Sequence, residues 1–147
     1  MYKNILVPTD GSDFSQKAVA EAVALAKALG AKVTAFFCAP PATPIIYRNH
    51  LPVGYALPQE HQRLIVEATD KALRVVEQAA QAAGVAVERV HATSDFPEDE
   101  ILKVAQRQGC DVIVMATHGQ SGLRGVLIGS VAQKVINKAT VPVLLIR

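Results

Sequence analysis

The feature that most constrains this chain is an alternation. Short runs rich in valine, isoleucine and leucine are separated by stretches whose apolar residues recur at helical spacing. The runs are "KNILVPT" (3–9), "AKVTAFFC" (31–38), "VAVERVHA" (85–92), "DVIVMA" (111–116) and "VPVLLIR" (141–147). A first helix is expected from Ser12 or Asp13 to Leu29, with Val19, Ala22, Val23 and Ala26 on one face and a Lys17–Glu21 pair on the other. A second, over 59–83, turns Ile65, Ala68, Ala72, Val76, Ala79 and Ala83 inward and carries Glu67–Lys71 and Asp70–Arg74 on its wet side. The third has Asp95 as a candidate cap and Pro97 in its first turn, with Glu98, Asp99 and Glu100 complementing the helix dipole. The fourth covers 130–139, and Gly30, Gly84 and Gly109 end the first three.

Strands and helices in strict alternation predict an α/β fold, a parallel sheet with helices on both faces, in one domain over 1–147. The expected architecture is a doubly wound, Rossmann-like, five-stranded sheet of order 3-2-1-4-5. The run 85–92 is the more polar and belongs near an edge, whereas 111–116 is apolar on both faces and belongs inside. Half the residues are hydrophobic and only 5% aromatic, which suits β-branched strands packed on alanine- and leucine-rich helices. Segment 39–58 breaks every periodicity and carries five prolines, so it reads as an excursion.

Net charge is +2 with no lysine or arginine run, so neither nucleic acid nor an anionic membrane is expected as a partner. The N-terminus enters a strand without a charged leader or cleavage site, and charges or prolines cut every long apolar run. A cytoplasmic protein is expected. Cys38 and Cys110 form no CxxC pair and are read as buried reduced thiols. His50, His61 and His91 are dispersed over a loop, a helix and a strand, which argues against a histidine metal site.

In this strand order the crevice lies between strands one and four, at their carboxyl ends. The loops that face it are "PTDGS" (8–12) and "ATHGQSGLRGVLIGS" (116–130). The first lacks the glycines of a dinucleotide fingerprint, and Asp10 puts a carboxylate where phosphate would lie. That carboxylate suits ribose hydroxyls or a metal ion; it also suits a turn or cap before the first helix. In the second loop Gly119, Gly122 and Gly125 allow close backbone approach, Arg124 adds positive charge, and Gly129-Ser130 opens a helix whose free N–H groups favour an anion. Ser130 alone also suits an ordinary N-cap, and the Walker A spacing is absent. Acid at one lip and amide donors at the other is an arrangement fit for a nucleotide.

The segments "ILVPTDGS", "CDVIVMATHG" and "GLRGVLIGSVAQKVINKATVPVLLI" resemble the universal stress proteins, the UspA superfamily, and the likeness spans the chain with 39–58 as its variable part. The resemblance implies an adenine-nucleotide alpha-hydrolase-like fold. In the family's nucleotide-binding branch the fourth loop reads Gly, two residues, Gly, nine residues, Gly, then Ser or Thr. Here the last three positions are Gly119, Gly129 and Ser130, with "QSGLRGVLI" between the glycines. The first position is Ala116, a departure whose methyl group and narrower dihedral range imply weakened binding.

The resemblance further implies ATP as ligand, with Mg²⁺ or Mn²⁺ on its phosphates. Pro8, Thr9 and Asp10 would flank the adenosine, Asp10 on ribose or metal. A backbone group near Cys38 would meet the adenine edge, and Met115 and Ala116 would line base and sugar. His118, Gly119, Gly129, Ser130 and Val131 would surround the phosphates. A homodimer through strand 141–146 is implied too, and Pro142, which cannot donate to a ladder, fits an edge there. The expected role is a stress-response regulator. Two alternatives are a nucleotide-free dimer acting through protein contacts, and a slow ATP hydrolase in which His118 polarises water. No nucleophile–base pair supports efficient catalysis, so His118 is read as a loop or phosphate contact. Tyr47, Arg48 and Tyr55 make segment 39–58 a lid, a partner surface or a solvated loop.

Overall fold

The computed structural model describes residues 1–41, 58–119 and 127–147. Tyr47, Arg48, Tyr55, Gly122, Arg124 and Gly125 lie outside those residues, as does most of segment 39–58. The elements run β1 (Asn4–Pro8), α1 (Asp13–Leu29), β2 (Lys32–Ala39), α2 (Pro58–Ala83), β3 (Val87–Thr93), α3 (Pro97–Arg107), β4 (Val112–Ala116), α4 (Ser130–Lys138) and β5 (Val143–Ile146). Every strand pair is parallel, as the alternation implied, and the order is the expected β3-β2-β1-β4-β5.

Side chains on a strand point to opposite faces in turn, and here that period of two builds two cores. Ile5, Val7, Val33, Val112 and Val114 face α1 and α2, where Val19, Ala22, Val23, Leu73 and Val76 close the layer. Leu6, Phe36, Ile113 and Met115 face α3 and α4, against Ile101, Val104, Ala132 and Val135. Ile5, Leu6 and Val7 are wholly buried, each contributing about 1.5–3 kcal/mol.

The α1 stripe is the one expected. On α2 Ile65, Ala72 and Val76 are buried as expected and Ala79 and Ala83 pack against the core, but Ala68 is exposed and Leu73 and Ala80 join the buried face. The Asp70–Arg74 pair forms. Glu67 takes Arg63 at 3.0 Å rather than Lys71, and neither Lys17–Glu21 nor Glu67–Lys71 is among the ion pairs of the described residues. Asp95 does not cap α3. The N-cap position belongs to Phe96, whose carbonyl accepts from the Asp99 and Glu100 amides, while Ser94 Oγ accepts from the Phe96 N–H at 3.0 Å.

The sheet has two unlike edges. On β3, Glu88 pairs with Lys32 at 3.0 Å and Arg89 with Glu77 at 2.7 Å. On β5 the sequence is "VLLI", with Leu144 44% exposed. Both cysteines are free thiols; Cys110 is buried and Cys38 half-buried. Among the described residues no helix is long and apolar enough to cross a membrane.

Candidate functional site

β1, β2 and β4 end side by side, and their carboxyl ends open into a cleft of about 670 Å³. Such a volume lies within the range of small-molecule sites. Pro8, Thr9, Asp10, Cys38, Met115, Ala116, His118, Gly119, Gly129, Ser130 and Val131 all line it. Residues far apart in the chain therefore share one wall because the strand order reverses between β1 and β4.

The first lip is the turn after β1. Thr9 N–H donates to the Phe36 carbonyl at 2.9 Å, prolonging the β1–β2 ladder by one bond. The chain then turns at Gly11, with φ +78°. Asp10 Oδ1 accepts from the Ser12 N–H at 2.9 Å, and Thr9 Oγ1 accepts from the Gly11 N–H at 3.2 Å. Ser15 Oγ donates to the Ser12 carbonyl at 2.7 Å, which leaves Thr9 as donor in the 3.0 Å contact between the two hydroxyls. Asp10 is thus a turn residue through one oxygen, and the other faces the opposite lip.

The second lip leaves β4 at Thr117, whose N–H still donates to the Ile146 carbonyl at 2.9 Å. Thr117 Oγ1 lies 3.0 Å from His118 Nδ1, and the His118 ring stands 6.4 Å from that of Phe14. Gly119 passes directly over Asp10 Oδ2. After the loop, Gly129 N–H donates to the Thr117 carbonyl at 2.6 Å, tying the start of α4 to the end of β4. Gly129 holds the N-cap position with φ −66° and ψ 159°, so Ser130 is the first helical residue and not the cap. The first intrahelical bond of α4 runs from Gln133 N–H to the Gly129 carbonyl at 3.0 Å. The N–H groups of Ser130, Val131 and Ala132 precede that bond and have no acceptor within the helix, and all three residues line the cleft.

The inner wall is apolar: Phe36, Phe37, Met115 and Ile101 with Pro40 and Pro97 at its rim. Cys38 Sγ stands 3.7 Å from the Ser94 carbonyl. Burial, aided by the negative charge of Glu100, pushes its thiol up to about 11. Burial also raises the Cys110 thiol. Ala116 sits half-buried at the end of β4, paired with Ile146. No described non-glycine residue has positive φ, so alanine at 116 carries no dihedral strain.

Sequence reasoning missed Ser15, Phe36, Phe37, Pro97, Ile101, Thr117 and Gln133, which also line the cleft. Ser15 and Thr117 were legible as polar neighbours of residues already named. Pro97 and Ile101 lie at i, i+4 on the buried face of α3, a spacing that signals packing as much as a site.

The model of the universal stress protein family matches residues 1–147. The chain belongs to the universal stress protein family. Universal stress protein MJ0531 of Methanocaldococcus jannaschii is 35% identical over 152 residues, covering 100% of this chain and 83% of that one. Among solved structures, protein MJ0577 superposes with a TM-score of 0.81 at 26% identity, covering 99% and 96% of the two chains. A universal stress protein solved in complex with cAMP matches with a TM-score of 0.70 at 26% identity, covering 99% and 97%. The order β3-β2-β1-β4-β5 is thus that of the universal stress protein fold, with its cleft at the topological switch point.

Proposed function

We propose that this universal stress protein binds an adenine nucleotide, ATP in the first instance, in the cleft between β1 and β4. The observation that carries the reading is the pairing of lips. The Asp10 carboxylate lies on one and the first-turn amides of α4 on the other, with an apolar wall between them. A carboxylate accepts from ribose hydroxyls, an apolar wall holds a base, and helix N-terminal amides favour phosphate. A relative of the same fold was solved with cAMP, a ligand with those same parts.

Thr9, Asp10 and Cys38 would serve the adenosine half with Pro8, Met115 and Ala116. His118, Gly119, Gly129, Ser130 and Val131 would serve the phosphates. Among the described residues no group of three or more His, Cys, Asp or Glu is placed to hold a metal ion. Asp10 is the carboxylate in the lining, which fits Mg²⁺ or Mn²⁺ arriving with the phosphates. The role that follows is a cytoplasmic stress-response regulator, a homodimer through 141–146, with at most slow ATP hydrolysis. The exposed apolar edge of β5 supports the dimer.

Calorimetric titration with ATP and Mg²⁺, beside a Gly129→Val/Ser130→Ala variant, tests the reading. Micromolar binding that the variant loses is the expected result. No binding, and no nucleotide released from denatured protein, would overturn it in favour of a nucleotide-free dimer, the reading that the Ala116 methyl favours.

A further inference from the structure

Glu98 is a charged residue only 5% exposed, in the first turn of α3, immediately after the cleft-lining Pro97. Its Oε1 lies 3.1 Å from Lys134 Nζ on α4. Lys134 is four residues beyond Ser130, so the two share one face of α4 a single turn apart. One turn further, Lys138 pairs with Asp99 at 3.1 Å. Two ion pairs therefore fasten the start of α3 to the face of α4 that carries Ser130 in its first turn. Helix packing alone does not require this, because an apolar contact would join the helices as well without burying a charge.

We propose that Glu98 and Lys134 are positioning residues that hold α4 in register while cancelling each other's charge beside the phosphate end of the cleft. This rests on the nucleotide reading above. The carboxylate fixes the lysine, and the lysine hides the carboxylate from the anion that the α4 amides receive. An unmatched unit charge near a multiply charged anion alters its affinity by an amount that grows with the anion's charge and shrinks with added salt.

The test is titration of the full chain with adenosine, AMP, ADP and ATP. Glu98→Gln keeps the shape and an acceptor for Lys134, and is expected to tighten ATP about threefold or more. The gain should grow from AMP to ATP, shrink in high salt and be absent for adenosine. Lys134→Met should shift ATP the opposite way, and Glu98→Gln/Lys134→Met should return it to the wild-type value. Adenosine and ATP moving together, or Glu98→Gln leaving ATP unchanged, would overturn the proposal. Should Lys134→Met not fold, the Glu98→Gln series decides alone. Failure of the wild type to bind any nucleotide removes both readings; wild-type binding with charge-insensitive variants removes only this one.

Discussion

Gly119 and Asp10 come from opposite lips of the cleft and touch: a Cβ on Gly119 would stand 2.6 Å from Asp10 Oδ2. Asp10 cannot simply turn away, because its other oxygen holds the Ser12 amide at 2.9 Å. Gly119→Ala is therefore expected to displace the carboxylate and weaken adenosine and ATP binding alike, by about tenfold, while costing under about 1 kcal/mol of stability. In an Asp10→Ala background the same change should have little further effect. A double-mutant cycle read by calorimetry measures this coupling, and additive losses would refute it.

Gly129 needs its missing side chain for a different reason. Its φ of −66° is open to any residue, but a Cβ would lie 3.0 Å from the Thr117 carbonyl oxygen and 3.5 Å from His118 Cα. Both obstacles are backbone, so relief requires β4 and α4 to separate. Gly129→Val is expected to lower stability by about 1–3 kcal/mol in urea unfolding, with Gly129→Ala at the lower end. An unchanged midpoint would show that the junction yields freely.

Ala116 occupies the position where the nucleotide-binding branch carries glycine. With ordinary backbone geometry there, restoring glycine relieves no strain. Ala116→Gly is expected to destabilise the chain by about 0.5–1 kcal/mol through added backbone freedom and to change ATP affinity less than about threefold. A gain of an order of magnitude would mean that the methyl group itself obstructs the ligand.

With its thiol pushed up to about 11, Cys38 is protonated at neutral pH and a poor nucleophile. Alkylation of the folded chain at pH 8 should run about a hundredfold slower at Cys38 than at an ordinary thiol. It should accelerate as pH rises toward 11, since only the thiolate reacts. Mass-resolved labelling against time measures it, and a rate equal to that of the urea-unfolded chain would contradict the raised value.

The layer order was legible in part: "NILVP" is buried throughout and the polar "VERVHAT" is an edge, whereas the apolar "VLLI" of β5 lies at the other edge with no residue buried. The α2 stripe was harder. Alanines occupy so many of its positions that several faces read as apolar, and the contact with β2 and β3 chose Leu73 and Ala80 over Ala68. At the site, Asp10 and Gly129-Ser130 were legible as turn chemistry. What no local pattern carries is contact across the crevice: the closeness of Gly119 to Asp10, or of Lys134 to Glu98, exists only once β4 lies beside β1.

The two sheet edges differ in whether they welcome another strand. Glu88 and Arg89, held in ion pairs, make β3 a terminus, whereas the "VLLI" of β5 offers an apolar ladder. A sheet that can be extended from one side only has a built-in stopping rule. The proposed pairing of identical chains edge to edge through β5 would end at two copies, with both β3 edges facing outward, and would not propagate into a filament.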